Sequence, residues 1–290
     1  TTIMACDAPK IIAPAMNTHM FQNQIVQDNL KKLEHYGYEI IAPAAGRLAC
    51  GDVGAGKLPS EEVLVEYIEK AIAKPKDLAG KKILVTAGPT RESIDPVRFI
   101  TNHSTGKMGY AIARAAMLRG AEVTLVSGQT NLTPPPFVNV VSVVSAQDMF
   151  EAVRDHFEEQ DVIIKSAAVA DYRPAKVSDE KIKKKDGDMS IEMERTTDIL
   201  QYLAGRRRED QFICGFSMET QNMLENSRRK LAKKKLDMIV ANNLKVEGAG
   251  FGTDTNVVTF ITKDQEKTLE RMSKQEVADQ LLDFILQEQA

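Results

Sequence analysis

KILVTAGPTRESIDPVRFITNHSTGKMGYAIARAAMLRGAEVTLVSG, residues 82–128, is the stretch whose reading decides the fold. KILVTAG is a continuous, β-branched apolar run, the pattern of a strand buried on both faces of a parallel sheet. Residues 108–119 carry apolar side chains at helical spacing, and EVTLVSG is a second buried strand. Strand, helix and strand make one βαβ unit. Between the first strand and the helix lies a long connection, residues 88–107. Connections of that length in compact domains are usually functional. Gly106 and Gly109 would let a ligand approach the backbone, and the free N–H groups of a helix start favour an anion.

The loop matches neither phosphate fingerprint, G-x-x-x-x-G-K-[ST] or G-x-G-x-x-G. Where a dinucleotide fold places an Asp or Glu for the ribose, this chain has Ser127 and Gly128. An NAD(P)-dependent Rossmann oxidoreductase is therefore the alternative, not the leading reading. A long surface loop before an ordinary Gly-rich helix start also stays open.

Outward from this unit, the alternation continues. VNVVSVV, DVIIKSAAVA, FICGF and DMIVANN read as strands; AQDMFEAVRDHFEEQ and ETQNMLENSRRKLAKKK read as helices. VVTFIT is a late strand expected to run antiparallel, and KQEVADQLLDFILQ is a closing helix. The expected fold is α/β, a doubly wound, Rossmann-like, mostly parallel sheet spanning residues 83–290, with ligands beyond the carboxyl ends of its strands. Upstream, KIIA, the helix MFQNQIVQDNLKKLEHYG ending at Gly37, YEIIAPA, a Gly-rich loop GRLACGDVGAGKLPS and a helix capped by Ser60 form a fragment of an open α/β sheet, residues 1–73. Residues 74–82, KPKDLAGKK, read as a linker.

The formal charge of −3 argues against general affinity for nucleic acid or an anionic membrane. No apolar run reaches the roughly 18 residues that span a bilayer, and the N-terminal stretch lacks the basic region of a secretory signal. Cys6, Cys50 and Cys214 are odd in number and far apart, which fits no zinc site or disulfide frame and points to a reducing cytoplasm. The first residue is not Met and KIIAPA follows at once, so the chain is read as starting inside a domain.

Three further loops could carry chemistry. GDVGAGKL (51–58) is not a P-loop, because Leu58 stands where magnesium needs a Ser or Thr. SAAVADYRPAKVSDEKIKKKDGD (166–188) follows a strand and combines Asp171, a candidate cation ligand, with Lys181, Lys183, Lys184 and Lys185. RRKLAKKK (228–235) closes a helix with Lys230 and Lys234 one turn apart on the same face. Each Lys cluster has a plain reading as a solvated face and a functional one as a polyanion contact.

Five separated motifs, TAGPTRESIDPVRFITNHSTGKMG, AAVADYRP, EKIKKK, GFSMET and DMIVANN, resemble in order and spacing the bacterial, CTP-using phosphopantothenate–cysteine ligases over about residues 80–290. APAMN and ACGDVGAGKL resemble the end of a phosphopantothenoylcysteine decarboxylase, which in bacteria is commonly fused ahead of the ligase in coenzyme A synthesis. The flavin-binding front half and the decarboxylation His of that family do not appear, so this chain alone is expected not to decarboxylate. The resemblance implies a two-step ligation: the carboxylate of 4′-phosphopantothenate attacks CTP, and the L-cysteine amine then displaces CMP from the acyl-cytidylate. It implies Mg²⁺ and CTP, FMN for a complete decarboxylase domain, and a homodimer. It assigns Asn102 to turnover of the acyl-cytidylate and Lys181 to phosphate charge. Asp171, Ala168, Ala170, Phe216, Lys230 and Lys234 fall to CTP, with the main chain near Ala168 and Ala170 reading the cytosine edge. Thr197, Asp198, Ile199 and Leu200 stand where the family often has Pro-Asp-Ile-Val. Gly106, Lys107 and Gly109 are assigned to phosphate or substrate, Asn17 to a substrate carboxylate and Cys50 to protonation in decarboxylation.

Overall fold

A computed structural model describes residues 3–48, 51, 53–184, 188–219, 222–243, 250 and 252–289. The chain divides into two compact units, Thr1–Lys76 and Asp77–Ala290.

In the first unit, β1 (Ile11–Ile12) and β2 (Glu39–Ile40) pair in parallel, connected through α1 (Thr18–Gln22) and α2 (Gln24–His35). The single expected helix is broken at Asn23, whose side chain accepts from Ile25 N–H at 3.0 Å and so starts a new helix. The expected Gly-rich loop instead contains a hairpin, β3 (Ala44–Arg47) against β4 (Val53–Lys57). Its glycines serve close packing: a Cβ at Gly56 would lie 2.1 Å from the Met16 carbonyl oxygen. α3 (Glu61–Ile72) begins after Ser60 as expected, although the Ser60 hydroxyl makes no capping bond to the backbone. Ile25, Val65, Ile68 and Ile72 on these helices are exposed.

The second unit opens with β5 (Lys82–Ala87), followed by the small hairpin β6 (Glu92–Ser93) and β7 (Phe99–Ile100) inside the long connection. Then come α4 (Lys107–Leu118), β8 (Glu122–Ser127), β9 (Asn139–Ser142), α5 (Ala146–His156) and β10 (Val162–Lys165). A second hairpin, β11 (Tyr172–Pro174) with β12 (Met193–Arg195), and α6 (Ile199–Ala204) precede β13 (Phe212–Glu219), α7 (Met223–Lys233) and β14 (Met238–Asn243). β15 (Thr255–Asn256), β16 (Val258–Ile261), β17 (Glu266–Thr268), β18 (Met272–Ser273) and α8 (Lys274–Glu288) complete the chain.

The main sheet has eight strands in the order β17-β16-β14-β13-β10-β5-β8-β9. β9 through β14 are parallel in that row, whereas β16 and β17 are antiparallel, as VVTFIT was expected to be. Alternate residues feed two cores. Ile83, Val85, Ile164 and Cys214 face α4 and α8, where Ile112, Val277 and Leu281 are buried. Leu84, Ile163, Ile213 and Ile239 face α5, α6 and α7 through Met149, Leu203 and Leu231. This two-sided burial explains the unbroken apolar runs. Burial also pushes the Cys214 thiol far above its ordinary range, so it acts as a core hydrophobe. Among the described residues no helix is long and apolar enough to cross a membrane.

By order of appearance the parallel strands run 3-2-1-4-5-6, the doubly wound order. The direction of winding reverses between β5 and β10, so the crevice beyond their carboxyl ends is where such sheets take ligands.

Candidate active site

The two strands at the reversal are tied together just past their ends. Ser166 Oγ donates to the Thr86 carbonyl at 2.6 Å, and Ala167 N–H donates to Thr86 Oγ1 at 3.1 Å. Ala168 N–H then donates to the Gly88 carbonyl at 3.0 Å, and Thr90 N–H to the Ala168 carbonyl at 3.3 Å. Asn102 adds a fifth tie: its Nδ2 donates to the Ala168 carbonyl at 2.6 Å, and its Oδ1 accepts from Ser104 N–H at 3.0 Å. Ala170 N–H donates to Thr90 Oγ1 at 3.0 Å, and its carbonyl accepts from Thr196 Oγ1 at 2.6 Å. The N–H groups of Ala168 and Ala170 thus both have protein acceptors.

Two clefts open from this seam. One, of about 250 Å³, lies between the start of α4 and the loop after β10; Gly106, Lys107, Gly109, Ala168, Phe216 and Lys274 are on its walls. Gly106 has φ +81° and hands the chain into α4, and Gly109 packs so close to β5 that a Cβ there would lie 2.5 Å from that of Ala87. The other cleft, of about 500 Å³, is bounded by Ala170, Thr197, Asp198, Ile199, Leu200 and Lys234. Lys165, Val169, Asp171 and Lys230 border both.

The charges in these clefts interlock. Lys230 Nζ donates to the Phe216 carbonyl at 3.0 Å, and Lys234 pairs with Asp198. Burial works to raise the Asp198 carboxyl, but Lys234 and the N–H of Gln201 outweigh it and hold it below its ordinary value. Lys107 pairs with Asp254 at 2.7 Å, and Lys274 Nζ donates to the Gly250 carbonyl at 3.2 Å. Burial, reinforced by Lys230, lowers the Lys165 ammonium to about 8.

Lys181 stands apart. It is exposed and borders neither cleft, but its neighbour Ile182 is anchored. Ile182 N–H donates to Asp95 Oδ2 at 3.0 Å, and Arg98 Nη2 donates to the Ile182 carbonyl at 2.9 Å. Asp95 Oδ1 also accepts from Val97 N–H at 2.9 Å and Arg98 N–H at 2.8 Å. The segment bearing Lys181 is thus pinned to the 88–107 connection. Lys183 and Lys184 are exposed too, and Lys185 lies outside the described residues. Asn17 belongs to the first unit, where its Oδ1 caps α1 by accepting from His19 N–H at 2.9 Å; Cys50 lies outside the described residues.

Sequence reasoning missed Lys165, Lys274, Asn242 and Asn256, all on the first cleft. Lys165 left a trace, as the charged residue that closes the apolar strand VIIK. The other three come from distant segments that only the folded sheet assembles.

Residues 78–289 match the family described as DNA/pantothenate metabolism flavoprotein C-terminal domain, and residues 1–73 match the flavoprotein family. The coenzyme A biosynthesis bifunctional protein CoaBC of Bacillus subtilis (strain 168) is 49% identical over 289 residues, 98% of this chain and 71% of that protein. This chain belongs to that bifunctional family. The CoaBC protein of Escherichia coli (strain K12) is 42% identical over 99% of this chain and 71% of its own length. Among solved structures, the C-terminal domain of a CoaBC protein is 49% identical with a TM-score of 0.62, covering 72% of this chain and 95% of that one. A DNA/pantothenate metabolism flavoprotein from Streptococcus pneumoniae is 27% identical with a TM-score of 0.64, covering 72% of this chain and 99% of that one.

Proposed function

We propose that the second unit joins 4′-phosphopantothenate to L-cysteine at the expense of CTP, in coenzyme A biosynthesis. The observation that carries this reading is the meeting of two polar clefts at the sheet's reversal point, with residues of four of the five family motifs on their walls. Nucleotidyl transfer depends on positioning and on charge stabilisation more than on covalent help from the protein. The clefts supply that: lysines, glycines at a helix start and a single shared carboxylate.

On this reading CTP occupies the cleft of Asp198, Ile199, Leu200 and Lys234, with Thr197 at its edge. Phosphopantothenate lies toward Gly106, Lys107 and Gly109. Its carboxylate attacks the α-phosphorus and pyrophosphate leaves; the cysteine amine then attacks the acyl carbon and CMP leaves. Asn102, held against the Ala168 carbonyl, orients the loop that receives the activated acyl group. Lys181 meets phosphate charge during the first step. Because it borders neither cleft of its own chain, it fits a homodimer in which its strap reaches a neighbouring site.

Mg²⁺ would be held by Asp171 together with substrate phosphates and water. One carboxylate is enough for that, since magnesium is usually bound by one or two carboxylates plus phosphates; the described residues contain no cluster of three or more His, Cys, Asp or Glu. In the first unit, the buried Thr18 hydroxyl has no partner among the described residues. The flavoprotein match of residues 1–73 supports FMN as the cofactor of this unit, and no step is derived through the flavin.

The dinucleotide alternative is weakened by Ser127. Its buried Oγ is 3.0 Å from the Tyr110 hydroxyl and donates to the Gly128 carbonyl at 2.9 Å, so it is not offered to a ribose. Product analysis tests the reading. With CTP, magnesium, phosphopantothenate and cysteine, the protein should form CMP, pyrophosphate and the amide-linked product in equal amounts; CDP and phosphate in their place would contradict it.

A further inference from the structure

Lys165 ends β10 at the reversal point and borders both clefts. The other lysines there are engaged: Lys230 with the Phe216 carbonyl, Lys234 with Asp198, Lys107 with Asp254 and Lys274 with the Gly250 carbonyl. Among the described residues, no acceptor takes a hydrogen bond from Lys165 and no carboxylate closes an ion pair with it. The charged groups that face it are Lys230 and Lys234 of α7 and its end, Asp198 at the start of α6, and Asp171 after β10. A half-buried ammonium beside two others is costly unless an anion joins it. The fold therefore holds a cation in readiness at the seam of the clefts.

The seam identifies the anion. If one cleft takes the nucleotide and the other the carboxylic acid, the α-phosphate is the group that belongs to both. We propose that Lys165 contacts the non-bridging oxygens of this phosphate and stabilises their charge during transfer; the inference rests on the ligase reading above. A carboxylate oxygen forms the new bond to the α-phosphorus, the bond from that phosphorus to the bridging oxygen breaks, and pyrophosphate leaves with the electron pair. Lys165 neither gives nor takes a proton in this step. It acts as a fixed positive charge beside Lys230, on the opposite strand from the Asn102 loop.

The test compares Lys165→Gln, which removes the charge, with Lys165→Arg, which restores it. Affinity for CMP, which carries the α-phosphate, and for cytidine, which does not, is read by calorimetry. Pyrophosphate release is followed in a single turnover with CTP, magnesium and phosphopantothenate. Lys165→Gln should weaken CMP about tenfold, leave cytidine unchanged and slow release on the order of 10²-fold. Lys165→Arg should recover most of the CMP affinity. Two results overturn the proposal while the parent still releases pyrophosphate: Lys165→Gln binding CMP as tightly as the parent, or both variants losing cytidine and CMP together, which would mark a purely structural lysine. No release by the parent with any nucleotide would instead remove the ligase reading itself.

Discussion

Asn102 and Lys181 are expected to act at different steps. Lys181→Gln should slow pyrophosphate release on the order of 10²-fold, because on the proposed ligase reading it removes charge that meets the developing pyrophosphate. Asn102→Asp places a carboxylate against the Ala168 carbonyl, where Nδ2 now donates at 2.6 Å. The first step should survive, and acyl-cytidylate should accumulate in quenched reactions; consumption by cysteine at the parent rate would refute this role. Asp95 acts behind Lys181. The Arg98 guanidinium, ahead of the N–H groups of Ile182, Val97 and Arg98, holds its carboxyl well below the usual range against the opposing effect of burial. A carboxyl depressed by folding adds stability that is complete above its unfolded value, about 3.9, and is lost as pH falls through the folded one. The parent should therefore become less stable below about pH 4, and Asp95→Asn should flatten that loss. Denaturant midpoints at pH 3 and pH 6 check it: an equal acid loss in both proteins would show that Asp95 is not the group.

At the scale of elements, α4 depends on Gly106 at its N-cap and Gly109 in its first turn. Gly109→Ala must push α4 away from β5, since the added carbon meets the backbone and Cβ of Ala87 and the Ser166 hydroxyl. A loss of about 1–3 kcal/mol is expected, measurable as a lower melting temperature. Much of this architecture was legible in the chain. Two-sided burial made β5, β8, β10 and β14 readable as apolar runs, and the amphipathic spacing of α4, α5, α7 and α8 placed the helices between them. The short pieces were not legible. The β11–β12 hairpin and α6 are too brief to show a period, and α6 is announced only by its cap, Asp198, which accepts from Gln201 N–H at 3.0 Å. The hairpin of β3 and β4 looked like a loop because Gly54 and Gly56, which pack against Thr18 and Met16, stand where a strand usually carries larger side chains. The site divided in the same way. Motif residues converge on the clefts, whereas Lys165 and Asn242 gain their meaning only from strand order.

For the molecule as a whole, the boundary falls earlier than the linker reading placed it. Asp77 and Leu78 already belong to the second unit: Leu78 is in its core, and the Asp77 carboxylate takes Arg119 Nε at 2.8 Å and Nη2 at 2.6 Å. Arg119 also pairs with Asp283 of α8 at 2.7 Å, so one buried guanidinium joins the start of the unit, the end of α4 and its last helix. Arg119→Leu should cost about 2 kcal/mol, because the half-exposed carboxylates can recover water, and the loss should appear in the unfolding of residues 77–290. The central claim is that the paired clefts activate a carboxylate with CTP before cysteine takes part. Pyrophosphate release with CTP, magnesium and 4′-phosphopantothenate, with cysteine left out, tests it most directly. The account predicts a rapid release of about one equivalent per site, dependent on phosphopantothenate. Release that appears only when cysteine is added, or none at all from folded protein, would contradict it.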